Sequence, residues 1–406
     1  MRIAMVSGHA SPLAVPGGQD AVGLHLHVAE QAAALAAEGH EVRVYTRRDD
    51  ATLPDTVPTD AGYQVWHVPA GPARPVPADE LLPHVGEFGR WLAAHWQQAG
   101  WRPDVTHAHF WLSGLAAVHA GRRTDTPVVL TYHDLGSSTY RRRPEGREPV
   151  GRGRIGYERA LGRAVDRVVV QSHDELGELV RLGVPRAKLA LVPSGVDERL
   201  FTPTGPAVPR DPDRPRLLTV GPLHDRRGVQ DVVRALPGVP GAEYVVVGGP
   251  PAGSLATDDV ARRLTALAGS CGVADRVRLV GAVPREELAA WYRSADVLVA
   301  APWYEPFGRS PLEAMACGVP VVGTAVGGIT DSVVDGLTGD LVPPRDPRAL
   351  GAAVRRLLAD RVRRFAYATA ALDRVRVRYS FRHWAEQLGG VYAAVSGVGR
   401  LAPAAA

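Results

Sequence analysis

The chain has 406 residues, 45% of them hydrophobic and 22% charged, with 47 Lys+Arg against 43 Asp+Glu for a net charge of +4. That is a globular composition long enough for two or three domains, not a disordered chain or one with a strongly charged field. There is one lysine, Lys188, followed by Leu189, and no asparagine, which excludes a Walker A Gly-Lys-Ser/Thr loop and an N-glycosylation sequon and leaves a pyridoxal enzyme one residue to draw on. The arginines are spread along the chain rather than gathered on one face, so no nucleic-acid partner is expected. Two cysteines, Cys271 and Cys317, cannot build a disulfide framework, which suits a reducing compartment. No signal-type apolar region and no run of about 18 apolar residues occurs, so a soluble cytoplasmic protein is expected.

In chain order, Arg2–Ser7 reads as a short strand, followed by a turn rich in Pro12, Pro16, Gly17 and Gly18. From Asp20 to Glu38, Val22, Leu26, Ala29, Ala33 and Ala36 recur at steps of three and four, the period of a helix that Gly39 ends. Further strands are expected at Glu41–Thr46, Tyr63–Val68, Val105–Ala108, Val128–Tyr132, Val168–Val170 and Leu189–Val192. Helices fit at Leu81–Gln98, Leu112–Arg122 and Asp174–Leu182. Tyr140–Arg154 carries six arginines and reads either as a solvated loop or as a lid meeting an anionic ligand. Phe201–Pro215, with five prolines, reads as a linker. Strands then resume at Leu217–Val220, Tyr244–Val247, Val277–Val280, Val297–Ala300 and Val319–Val322, as the continuous apolar runs of buried parallel strands. Two βα series around a Pro-rich linker predict two doubly wound α/β domains, with ligands at the carboxyl ends of the strands.

The stretch Trp303-Tyr-Glu305-Pro-Phe307-Gly308-Arg309-Ser310-Pro311-Leu312-Glu313 follows one such strand and opens a helix. Ser310 as N-cap, Pro311 as first helical residue and Glu313 three residues on would form a capping box, which accounts for Glu313 without any function. Glu305 lies before that helix and has no such role. Free N–H groups and a positive dipole at a helix N-terminus suit a phosphate, and flanking carboxylates suit sugar hydroxyls. The pattern therefore points to a phosphorylated sugar. No Cys-x-x-Cys or His-x-x-x-His ligand spacing is present, so no metal is expected. No Gly-x-Gly-x-x-Gly follows a strand, since Val247-Gly-Gly-Pro-Pro-Ala-Gly253 has the wrong spacing, and a nicotinamide oxidoreductase is set aside.

Glu305-Pro-Phe-Gly and Pro-Leu-Glu313-Ala-Met-Ala-Cys-Gly318, together with His107-Ala-His109-Phe-Trp-Leu-Ser-Gly114, Thr131-Tyr-His133, Val192-Pro-Ser-Gly-Val-Asp197 and Ala325-Val-Gly-Gly328, resemble the retaining glycosyltransferases of family 4. The opening through Arg48 is similar to their actinobacterial branch, which includes the mycothiol-pathway transferase. The resemblance implies a GT-B fold, two Rossmann-like domains facing across a cleft. Residues 1–200, completed by a C-terminal helix at 381–396, would bind the acceptor; residues 201–380 would bind a nucleotide sugar; 397–406 would be a disordered tail. It implies front-face transfer with retained anomeric configuration, the leaving diphosphate helping to deprotonate a small-molecule acceptor. Glu305 and His133 would act at the sugar. Gly221, Arg226, Arg227, Ala282, Phe307, Gly308, Arg309, Ser310, Leu312 and Glu313 would hold the donor, Glu313 through the ribose. Gly18, Gly23, His25, His109 and Asp134 would meet the acceptor. The nucleotide sugar is a cosubstrate, no further cofactor is implied, and the base is open. So is the oligomeric state, a homodimer included.

Two departures from that family pattern stand out. Its Val-Gly-Arg-Leu-x-x-x-Lys-Gly becomes Val220-Gly-Pro222-Leu-His-Asp-Arg226-Arg227-Gly228, so proline replaces a phosphate-facing arginine and arginine replaces a lysine. Arg309 could resupply the charge. The branch's Asp-Ala-Gly-Gly-Gln-Asn becomes Asp20-Ala-Val22-Gly23-Leu-His25, which implies an unusual acceptor, one of natural-product biosynthesis. The competing reading is a non-catalytic GT-B subunit that supports a partner transferase.

Overall fold

The computed structural model describes residues 1–14, 22–98, 100–141 and 152–397. The chain forms two compact units: Met1–Pro193 together with the chain from Trp384 on, and Ser194–His383.

The first unit is an eight-stranded sheet, with strands β1 (Arg2–Val6), β2 (Glu41–Arg47), β3 (Thr56–Pro58), β4 (Gln64–Val68), β5 (Val105–His109), β6 (Val128–Thr131), β7 (Arg167–Val170) and β8 (Leu189–Leu191). Their order is β3-β4-β2-β1-β5-β6-β7-β8, and every pairing is parallel except β3 with β4. Ile3, Ala4, Val44, Val105, Ala108, Leu130 and Val168 are fully buried, as strands covered by helices on both faces must be. Strand β3 is not among the strands expected from the sequence. It is three residues long and ends in Pro58, which only an edge accepts. The order reverses between β1 and β5, so the crevice where such sheets bind ligands opens past Val6 and His109.

In the second unit, β9 (Arg216–Val220), β10 (Glu243–Val247), β11 (Val277–Gly281), β12 (Val297–Ala300), β13 (Val321–Thr324) and β14 (Gly339–Val342) form an all-parallel sheet ordered β11-β10-β9-β12-β13-β14. Its switch point lies between β9 and β12, beside Gly221 and the Ala301–Gly308 stretch. β13 begins two residues later than its apolar run suggests, because Pro320 has no N–H to give a ladder.

The expected linker is a correction. Phe201 is buried at 1% exposure with its ring 5.7 Å from Tyr292, Val208 donates to the Ala290 carbonyl, and Arg210 pairs with Asp296. Prolines stiffen this segment, but its apolar residues pin it onto the second unit. The Arg-rich loop is shorter than composition implied: helices Gly136–Arg141 and Arg152–Ala164 take its two ends. Its remainder, the 15–21 turn with Gly18, and the 398–406 tail lie outside the described residues.

Candidate active site

In the second unit, two backbone approaches bring distant segments together. Gly228 has φ 67°, and a Cβ there would sit 1.8 Å from the Ala301 carbonyl oxygen, so only glycine lets the turn after β9 lie against the chain leaving β12. Trp303 N–H donates to the Arg226 carbonyl at 2.9 Å and closes the contact. Gly327 repeats the device. A Cβ on it would fall 2.0 Å from the Glu305 carbonyl oxygen, which accepts from Gly328 N–H at 2.9 Å.

Glu305 is thereby held at 7% exposure. One carboxylate oxygen accepts from the N–H groups of Phe307 and Gly308, each at 3.3 Å, and the other pairs with the Arg227 guanidinium. Arg227 Nε is buried with no hydrogen-bond partner among the described residues, although a guanidinium N–H is a strong donor. Gly221, at φ 147°, follows β9 directly under this side chain: a Cβ there would meet the guanidinium at 3.7 Å.

The helix beyond Glu305 corrects the capping box. It runs Arg309–Ala316 with Gly308, at φ 70°, as an N-cap that makes no side-chain bond; Ser310 is the second helical residue and Pro311 the third. Glu313 therefore caps nothing. Its carboxylate, 6% exposed, accepts from Tyr292 Oη at 2.7 Å and Arg285 Nη1 at 3.0 Å, with Arg309 Nη2 at 3.9 Å. Burial, and then the Glu313 charge, push the Tyr292 phenol well above its usual range and keep it a donor. Leu312 is packed in the core. Ala282 is exposed just past β11, its N–H on the Pro250 carbonyl at 2.9 Å.

In the first unit, histidines collect at the carboxyl ends of β5 and β6. His109 Nδ1 and His133 Nε2 share a hydrogen bond of 2.8 Å. The His27 ring stands edge-on to His133 at 4.7 Å, and His27, His109 and His133 bring ligating nitrogens within 4.8 Å of one another. That cluster has the make-up to hold a metal ion, although no sequence spacing announces it. Behind it, His107 Nδ1 meets Tyr392 Oη at 2.7 Å and its Nε2 meets Thr131 Oγ1 at 2.8 Å. Burial holds His109 and His133 well below the ordinary imidazole range, and neighbouring histidines add to it, so both are neutral at pH 7. His133 and Phe110 adopt left-handed backbones, φ 65° and 74°, conformations that cost about 1–3 kcal/mol each and cluster at functional sites. His25 Nδ1 contacts the Ser11 carbonyl at 2.7 Å. Gly23 is exposed near the start of the Val22–Ala37 helix, and a Cβ on it would meet nothing. Asp134 follows His133 and pairs with Arg154.

Known proteins resemble this chain along its length. Residues 22–200 match the description "Glycosyltransferase Family 4" and residues 214–360 match "Glycosyl transferases group 1". The chain is 37% identical to the D-inositol 3-phosphate glycosyltransferase of Xylanimonas cellulosilytica, over 97% of this chain and 96% of that one. The chain belongs to glycosyltransferase family 4. The enzyme of the same name from Acidothermus cellulolyticus is 36% identical, over 96% of this chain and 89% of that one. Among solved structures, sucrose-phosphate synthase from Thermosynechococcus elongatus is 31% identical with a TM-score of 0.86, covering 98% of this chain and all of that one. Anabaena HepE, solved with UDP and glucose, shares the fold at a TM-score of 0.71 and 18% identity, over 96% of this chain and 99% of that one.

In this glycosyltransferase, then, Gly221, Arg227, Glu305, Phe307 and Gly308 come together in one place, and Glu313 and Arg309 on the helix that follows. Arg226 contributes its backbone, Leu312 is core, and Ala282 stands on another loop. Three residues escaped the sequence reading: Arg285 and Tyr292, which hold Glu313, and His27, which joins the histidines. None belongs to a motif, and only the fold shows their roles. No described helix is long and apolar enough to cross a membrane.

Proposed function

We propose that this family 4 enzyme is a cytoplasmic retaining hexosyltransferase that moves a sugar from a nucleoside-diphosphate sugar to a small polyol acceptor. The observation that carries the reading is the Arg227–Glu305 pair beside Gly221. It sets a cation with a buried, unpartnered N–H and a carboxylate at the switch point of the second sheet, ahead of a helix N-terminus. In the proposal Arg227 and the N–H groups at Phe307–Ser310 meet the diphosphate, Glu305 accepts from sugar hydroxyls, and Glu313 accepts from the ribose. Neutral His133 contacts the sugar near the reacting carbon, and a departing diphosphate oxygen takes the acceptor proton. The first unit, with His25, His109 and Asp134, would receive the acceptor.

A thermal-shift panel with UDP, GDP, ADP and dTDP and their sugars tests the donor half. A ligand of the folded state alone, at a hundredfold excess over Kd, adds about 2.7 kcal/mol. One responding nucleotide family would name the donor. A flat panel would mean that Pro222 has dismantled donor binding and that the chain is a non-catalytic subunit. With the donor known, His133→Ala and Glu305→Ala should each slow transfer at least about tenfold, roughly 1.4 kcal/mol, without loss of fold.

A further inference from the structure

Past the ends of β5 and β6 the charges are arranged against an anion. Arg154 pairs with Asp134, and its guanidinium is shared between Asp134 and Glu158. Nη2 donates to the Asp134 carbonyl at 2.6 Å and lies 3.4 Å from Asp134 Oδ2, while Nε donates to Glu158 Oε1 at 2.7 Å. Its face lies 4.9 Å from the Phe110 ring, which in turn stands 4.6 Å from His9. Glu158 is fully buried and accepts from Gly136 N–H through both oxygens, so it cannot turn away. Among the described residues, one guanidinium thus faces two carboxylates.

No other described group supplies a positive charge there. His9 is neutral at pH 7, brought down to about 4 by burial first and then by His25 and Arg154, and His109 and His133 are buried against one another through a 2.8 Å hydrogen bond. Arg47 is bound to the carbonyls of Arg48, Pro72 and Arg74. The chain's one lysine, Lys188, donates to the carbonyls of Arg163 and Val165.

We infer that this enzyme takes an acceptor without a phosphate at this position, a neutral or amine-bearing polyol, and that Asp134 is the residue that turns a phosphorylated one away. The inference rests on the proposal that the first unit receives the acceptor. A phosphate dianion would have to compete with the Asp134 and Glu158 carboxylates for the Arg154 guanidinium and would be repelled by Asp134; hydroxyls and ammonium groups are complementary to Asp134. The relatives are named for D-inositol 3-phosphate, so this is a change of acceptor class within the family.

Calorimetry on the full chain tests it with three probes: myo-inositol, myo-inositol 3-phosphate and the diamine streptamine, against wild type, Asp134→Asn and Asp134→Ser. Wild type should bind the phosphorylated probe at least tenfold more weakly than the better of the other two. Both variants should shift that ratio toward the phosphate by at least tenfold, because Arg154 loses a competing carboxylate; thermal melts confirm that each variant is folded. A wild-type preference for the phosphate, a ratio unchanged in both variants, or no binding of any probe overturns the inference. Residues 142–151, outside the described chain, include Arg142, Arg143 and Arg147; a cation from there would appear as the first of those outcomes. Donor binding and donor hydrolysis, followed separately, report whether the transferase reading itself fails.

Discussion

Replacing Arg227 by alanine separates donor binding from stability. In the ligand-free chain its side chain is 25% exposed and pairs with Glu305, 9% exposed. A partly exposed pair contributes about 0–1 kcal/mol to folding, and Glu305 keeps its two backbone N–H donors from Phe307 and Gly308. The loss of stability should therefore be on the order of 1 kcal/mol. The donor effect is larger. Nη1 can stay on Glu305 while the buried Nε, unpartnered among the described residues, gives a charge-assisted hydrogen bond to a phosphate oxygen. Such a bond contributes about 1.5–3 kcal/mol, so Arg227→Ala should weaken the nucleoside diphosphate about 10- to 150-fold. Arg227→Lys keeps the charge but loses the fork and should fall between. Titration calorimetry with the nucleotide identified in the melting panel measures both variants. Wild-type affinity in a folded Arg227→Ala protein would refute the assignment of this cation to the diphosphate.

Tyr292→Phe removes the hydroxyl that holds Glu313 at 2.7 Å and should lower unfolding stability by about 1.5–3 kcal/mol in denaturant melts; an unchanged midpoint would mean that the buried carboxylate does not need it. Gly327→Ala should disturb Glu305, since its Cβ would press on that residue's carbonyl from 2.0 Å, and should abolish the nucleotide-induced thermal shift; a normal shift would show the loop adapting freely. Acid should destabilise the protein well above the carboxylate range. His9 and His107 are held at about 4 and about 3, so below pH 6.5 the unfolded chain takes up protons that the native state refuses. Each such histidine then costs about 1.4 kcal/mol per pH unit. Glu175, pushed up to about 7 by burial, works in the opposite sense, gaining stability as pH falls from about 7 toward 4.5. Two histidines against one carboxylate leave a net loss of about 2 kcal/mol between pH 6.5 and 5, which His109 and His133 increase. A melting temperature that holds or rises over that interval would contradict the buried neutral histidines.

Local sequence determined the elements and the family of this protein. Continuous apolar runs specify buried parallel strands wherever they fold, and Glu305-Pro-Phe-Gly marks a strand-to-helix turn whatever surrounds it. Phe201–Pro215 shows the limit of composition: prolines say that a segment is stiff, and only the partners of Phe201 and Arg210 say where it lies. Glu313 shows the limit of spacing. Ser310 and Glu313 satisfy a capping pattern on paper, but Gly308 starts the helix two residues early, and Tyr292, from another helix, claims the carboxylate. The joining of His27 to His109 and His133, and of Arg154 to Asp134 and Glu158, is invisible in the sequence for the same reason. His27, His109 and His133 are joined only because sheet order sets β6 beside β5 and packs the first helix close to their ends. Periodicity and motifs are properties of neighbours along the chain, whereas a charge's partner is set by neighbours in space. Local sequence therefore carries the family, and the tertiary structure decides which of its charges are left for a substrate.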